Sequence, residues 1–128
     1  MILITGGASQ GKRHYAETVL GCSSITDGAV CELRTDEIHG CICSYELLVK
    51  RLMDEEMSPD DFTKELCRHS PDAVVIIREI GCGIVPLDRE DRLWREAVGR
   101  CGCILAESSK TVVRLICGIP SAIKGVLP

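Results

Sequence analysis

The residues Gly6-Gly7-Ala8-Ser9-Gln10-Gly11-Lys12 combine three glycines with one lysine in the spacing G-x-x-x-x-G-K. Glycines let a backbone coil into a hollow whose N–H groups converge on phosphate oxygens, and a lysine at the end of the loop brings a full charge to the outer phosphates. In phosphoryl transfer such a charge steadies the transferring group. An ordinary strand-to-helix turn would not need the conformational entropy that these glycines cost. Gly6, Gly7, Ala8, Ser9, Gln10, Gly11, Lys12 and the following Arg13 are therefore expected to bind a nucleotide, ATP or GTP. The pattern normally continues with Ser or Thr, whose hydroxyl holds Mg2+. Here that position is Arg13, which cannot ligate a cation, so any Mg2+ must rely on water, phosphate and another residue. No protein metal ligand is assigned.

A second candidate is Glu79, which follows the apolar run 73–77. A carboxylate at the carboxyl end of a buried strand sits where open α/β sheets place ligand chemistry. Two readings stand side by side. It orients a magnesium ion or accepts the proton of a substrate hydroxyl, or it accepts N–H bonds from the turn 81–83, whose Gly81 and Gly83 suggest close backbone geometry. Arg100 reaches a phosphate or pairs with an acid, and surface pairing is the commoner fate. His14 is expected at an exposed helix start, and the acids Asp54, Glu55, Glu56, Asp60 and Asp61 around a solvated turn.

These groups need a scaffold. The run 1–5 reads as a buried first strand leading into the loop, and residues 12 to about 20 as a helix. A short strand over 23–27 runs into a turn at Asp27-Gly28, while 29–40 fits either a helical turn or an irregular crossover. Residues 41–44 read as a strand and 45–56 as a helix. Ser58-Pro59-Asp60-Asp61 supplies a capping hydroxyl, a first-turn proline and first-turn carboxylates, so a helix starts there and stops near Pro71. A core strand over 72–78 follows. The longest helix covers 88–107, with Leu93, Trp94, Ala97, Val98, Cys101, Ile104 and Leu105 in one stripe. A last strand covers 110–117. Strands alternating with helices predict an α/β fold: a mostly parallel sheet of four or five strands with helices on both faces.

The bulk properties agree. A chain of 128 residues is one domain, 1–128, with a core of its own. Apolar residues make up 45% and charged ones 27%, which excludes a disordered chain. Fifteen basic against nineteen acidic residues, and 3% aromatics, leave neither an electrostatic footprint nor stacking platforms for nucleic acid. No apolar run approaches the ~18 residues of a membrane span, and basic residues follow rather than precede the first apolar run, so a cytoplasmic protein is expected. The nine cysteines are an odd number set within apolar patterns, and read as small buried hydrophobes in a reducing compartment. The Cys-x-Cys pairs at 41/43 and 101/103 lack the spacing of a zinc site.

With these residues in view, the chain resembles the adenosylcobinamide kinase/adenosylcobinamide-phosphate guanylyltransferase family of cobalamin biosynthesis. The likeness lies in the opening MILITGGASQGK with Ala16-Glu17, and in Glu79-Ile80-Gly81-Cys82-Gly83-Ile84-Val85-Pro86 after a strand, similar to the family's N-E-V-G-x-G-I-V-P signature. Gly99-Arg100, then Cys117-Gly118-Ile119 with Lys124 beyond, continue it in order. The resemblance implies a P-loop NTPase-like fold, nucleotide and corrinoid substrates, homo-oligomers, and phosphoryl transfer to the aminopropanol arm of a corrinoid. It assigns catalysis to Lys12 and Glu79. It also implies a histidine that becomes guanylylated. In this chain the corresponding middle segment is cut down to residues 28–43, and its one histidine is His39. The shortened middle and Arg13 leave a second reading open, a nucleotide- or corrinoid-binding module without turnover.

Overall fold

A computed structural model describes residues 1–80 and 88–128. Its elements run β1 (Ile2–Thr5), α1 (Lys12–Thr18), β2 (Ile25–Asp27), a 3-10 turn (Thr35–Glu37), β3 (Cys41–Cys43), α2 (Tyr45–Asp54), α3 (Pro59–His69), β4 (Val74–Ile76), α4 (Arg89–Ser108), β5 (Thr111–Ile116) and β6 (Ile119–Lys124). One sheet holds all the strands in the order β2-β3-β4-β1-β5-β6, parallel except for β6.

Chain handedness decides where the helices go. Parallel crossovers are right-handed almost without exception. The first crossover leaves β1 for the far edge at β2, whereas those through α2–α3 and through α4 step back across the sheet in the opposite sense. The first helix must therefore cover one face and the other three the opposite face. Side-chain alternation agrees: Leu3, Ile42, Val75 and Val112 pack with α2, α3 and α4, while Ile4, Ile76, Val113 and Leu115 pack with Tyr15 and Ala16 of α1. Burial on both faces explains the nearly continuous apolar strands.

Local signals set the helix ends. Ser58 Oγ accepts the Asp61 N–H at 3.2 Å with Pro59 in the first turn, and Asp88 Oδ1 accepts the Glu90 N–H at 2.9 Å. Along α4, Ala97, Val98, Cys101 and Leu105 are buried as the stripe requires, whereas Leu93 remains exposed and Trp94 half-buried. The segment 29–40 is irregular apart from its 3-10 turn, and it buries Ile38 completely. Among the described residues the cysteines are free thiols; Cys41, Cys43 and Cys101 are buried as expected, whereas Cys22, Cys31 and Cys67 are half-buried and Cys103 and Cys117 exposed. No described helix is long and apolar enough to cross a membrane.

The sheet has six strands rather than the expected four or five. The added one is β6, which returns antiparallel to β5 through a tight turn with Cys117 and Gly118 at φ 52° and 77°. Positive φ at both central residues is the hairpin geometry whose twist matches its strands. Pro120 and the five other residues of β6, all exposed and so without alternation, hid it in the sequence. A proline is tolerated there because β6 is an edge strand.

Within the core, Tyr45 on α2 places its hydroxyl 2.8 Å from Thr63 Oγ1 on α3, both buried. Burial pushes the Tyr45 phenol strongly upward, so it stays protonated. Tyr45→Phe should lower stability by about 1–2 kcal/mol, because the Thr63 hydroxyl loses its buried partner. Urea unfolding of the two proteins checks this.

Candidate functional site

The glycine-bearing loop emerges from the carboxyl end of β1, the strand lying between β4 and β5. It changes hand repeatedly: Gly6 has φ 147°, Ser9 φ 56° and Gly11 φ 92°. Alternation of this kind turns successive N–H groups toward one side and makes an anion-binding concavity. Gly6 allows nothing larger, since a Cβ there would lie 2.5 Å from the Leu115 carbonyl oxygen of β5. Its own carbonyl accepts the Glu79 N–H at 2.9 Å, so loop and β4 leave the sheet together.

Gln10 fastens the other side. Its Oε1 accepts the Cys117 N–H at 2.6 Å, and its backbone carbonyl accepts the Gly118 N–H at 3.0 Å. Its Nε2 donates to the Ala8 carbonyl at 3.3 Å. The β5–β6 turn thus braces the loop from outside, a role invisible to a reading that treated Gln10 as one loop position among others.

Lys12 opens α1, and its Nζ donates back across the loop to the Gly7 carbonyl. Burial is the main influence on this ammonium and lowers its pKa; Glu46 and Glu79 pull it up, and Arg78 pushes it down. A cavity of about 520 Å³ lies beside it, lined by loop residues 8–11 together with Lys12, Arg13, His14, Ser44, Glu46 and Arg78. A second cavity, of about 440 Å³, lies between α2 and α4 against Lys50 and Trp94.

Glu46 was not foreseen. It lies in the first turn of α2, 6% exposed, with its carboxylate accepting the Arg78 N–H at 3.0 Å. Its backbone carbonyl accepts the Trp94 indole N–H at 2.8 Å, and the Lys50 ammonium stands 5.2 Å from that ring. The one available signal was an acid just after an apolar strand, in Cys43-Ser44-Tyr45-Glu46. Ser44 itself adopts φ 55°.

Other expected residues fall elsewhere. Glu79 does not line the cavity around Lys12; it forms a two-pronged pair with Arg114 of β5, at 2.8 and 3.0 Å. Gly81, Cys82, Gly83 and Pro86 lie outside the described residues. His39 precedes β3, at the amino end of the strands, and is exposed. Because β1, β3 and β4 are parallel, the loop leaves the carboxyl ends of the strands and His39 lies at their amino ends. The fold therefore does not bring His39 to Lys12. Arg13 lines the cavity but pairs along its own helix with Glu17 at 3.1 Å, and Arg100 pairs with Asp60 at 3.1 Å.

The donor set does not fit a protein-held magnesium ion. Arg13 replaces the hydroxyl, Glu79 is engaged by Arg114, and Glu46 is tied to a backbone N–H. Among the described residues no three His, Cys, Asp or Glu side chains converge.

A parallel sheet with a glycine loop and lysine between its central strand and first helix defines a P-loop NTPase-like fold. The model of the cobinamide kinase/cobinamide phosphate guanyltransferase family matches residues 40–123, and the chain belongs to that family. It is also 26% identical to the bifunctional adenosylcobalamin biosynthesis protein CobU of Escherichia coli (strain K12), over 97% of this chain and 99% of that protein. That alignment runs over 180 positions against 128 residues here, so the relative carries segments this chain lacks.

Gly6→Ala should destabilise the protein by more than about 1 kcal/mol, since the substitution adds a clash with Leu115 to an unfavourable φ. A fall in the midpoint of urea unfolding, at unchanged slope, is the expected reading.

Proposed function

We propose that this chain transfers the γ-phosphoryl group of ATP or GTP to a hydroxyl of a corrinoid intermediate, the kinase step of its family, in the cytoplasm. The observation that carries this reading is the Lys12 ammonium, held by the Gly7 carbonyl at the cavity and engaged by no ion pair among the described residues. Loop amides and Lys12 would hold the phosphates and compensate charge on the transferring group, which is most of what phosphoryl transfer asks of a protein. Glu46 is the carboxylate lining the cavity. Glu79 serves by fixing Arg114 of β5 rather than as a base. Guanylyl transfer is not proposed, because His39 lies at the amino ends of the strands, away from the loop. Homo-oligomers are part of the proposal, supported by the exposed Ile119, Ile123 and Val126 at the edge strand and beyond it.

Arg13 and the unsuited metal donors favour one second reading, a module that binds nucleotide without turnover. Transfer of label from γ-labelled ATP or GTP to adenosylcobinamide, with and without magnesium, decides between them. Labelled adenosylcobinamide phosphate, lost in Lys12→Ala, is expected; no product at high protein concentration would leave the binding module. In a melting scan, nucleotide at a hundred times its dissociation constant should add about 2.7 kcal/mol of stability, and Lys12→Ala should lose that gain.

Affinity should also depend on pH with a definite sign. Only the protonated amine attracts phosphate, and burial holds its pKa below 10.5. Nucleotide affinity should therefore begin to fall at lower pH than an ordinary lysine would give. Isothermal titration across alkaline pH checks this.

A further inference from the structure

The rim of the Lys12 cavity is more basic than phosphate binding by one lysine requires. Lys12, Arg13 and Arg78 all line it, against the single carboxylate of Glu46. Arg13 stands where the phosphate-loop pattern places a metal-binding hydroxyl. Two separate parts of the sequence, the start of α1 and the segment after β4, thus deliver the same chemical group to one cavity.

Both guanidiniums are available. Arg78 is exposed at the end of β4, its own N–H fixed by Glu46, and no ion pair among the described residues engages it. Arg13 is held only by Glu17 in a pair whose side chains are 63% and 45% exposed. Exposed pairs of this kind contribute little, so exchanging Glu17 for phosphate costs little. The Arg78 charge is already felt at Lys12, where it opposes protonation; a bound polyanion relieves that repulsion. A guanidinium presents paired donors that match two phosphate oxygens, which a lone ammonium cannot do.

We propose that Arg78 and Arg13 replace the divalent cation as charge compensation for the nucleotide, so that this chain binds the metal-free triphosphate at least as well as its magnesium complex. This inference rests on the proposed nucleotide site and adds the ionic form of its ligand. Magnesium on the phosphates would meet two guanidiniums, with Arg13 in place of the loop hydroxyl and the Glu46 carboxylate tied to the Arg78 N–H, and would weaken the contacts they make.

The test is calorimetric titration of ATP and of GTP into the full chain, once in EDTA and once in excess magnesium. The expected result is a dissociation constant in EDTA equal to or below that in magnesium. Arg78→Met should then weaken metal-free binding about tenfold, the scale of a lost charge-assisted contact. Arg13→Ser, which restores a hydroxyl, should shift the preference toward the magnesium complex. Circular dichroism verifies that both variants fold, as their exposed positions lead one to expect. Binding that requires magnesium overturns the inference while leaving the proposed function standing. Metal-free affinity unchanged in Arg78→Met, or a metal response unchanged in Arg13→Ser, also overturns it. No binding in either condition overturns both the inference and the proposed function.

Discussion

The molecule turns on the space missing between Gly6 and the Leu115 carbonyl, where a side chain would meet the oxygen at 2.5 Å. With β1 clasped between β4 and β5, the chain must leave the sheet edge in a direction only glycine takes easily. From there the loop can coil, reverse and start α1 within a few residues. The Lys12 ammonium then closes the loop on the Gly7 carbonyl, and Gln10 ties it to the β5–β6 turn. Sheet, hairpin and loop therefore form one mechanical unit, whose exposed product is a basic hollow.

Charge is arranged around that hollow with similar economy. Glu46 is buried, yet its carboxylate accepts a backbone N–H and it faces the field of Lys12. Trp94 fixes the Glu46 backbone from α4, so the long helix contributes to the site without placing a charged residue in it. Glu79 and Arg114 neutralise each other outside the cavity. What remains on the cavity wall is a surplus of cations, the electrostatic condition for holding a polyanion.

Much of this was legible in the residues. The loop, the capped start of α3, the buried stripe of α4 and the parallel α/β class all follow from local spacing, and local spacing sets them. The misses share a physical cause, being set by partners distant in sequence. Gln10 finds its partner 107 residues away, and Glu46 meets Arg78 32 residues away. For Glu79 the residues allowed a metal or base role or a bond to the following turn, and nothing nearby in the chain reveals Arg114. His39 is the one histidine of the shortened middle segment, and strand direction places it at the end of the sheet away from the loop. The strand β6 escaped because an edge strand needs no apolar alternation.

The central claim is that main-chain amides of residues 7–12, with one ammonium, grip a triphosphate. Amide nuclear magnetic resonance during titration with ATP tests it residue by residue. The account predicts the largest shifts across Gly7 to Lys12, with smaller ones at Cys117 and Gly118 through the Gln10 brace. Shifts centred instead on the groove of Lys50 and Trp94, with the loop silent, would contradict it.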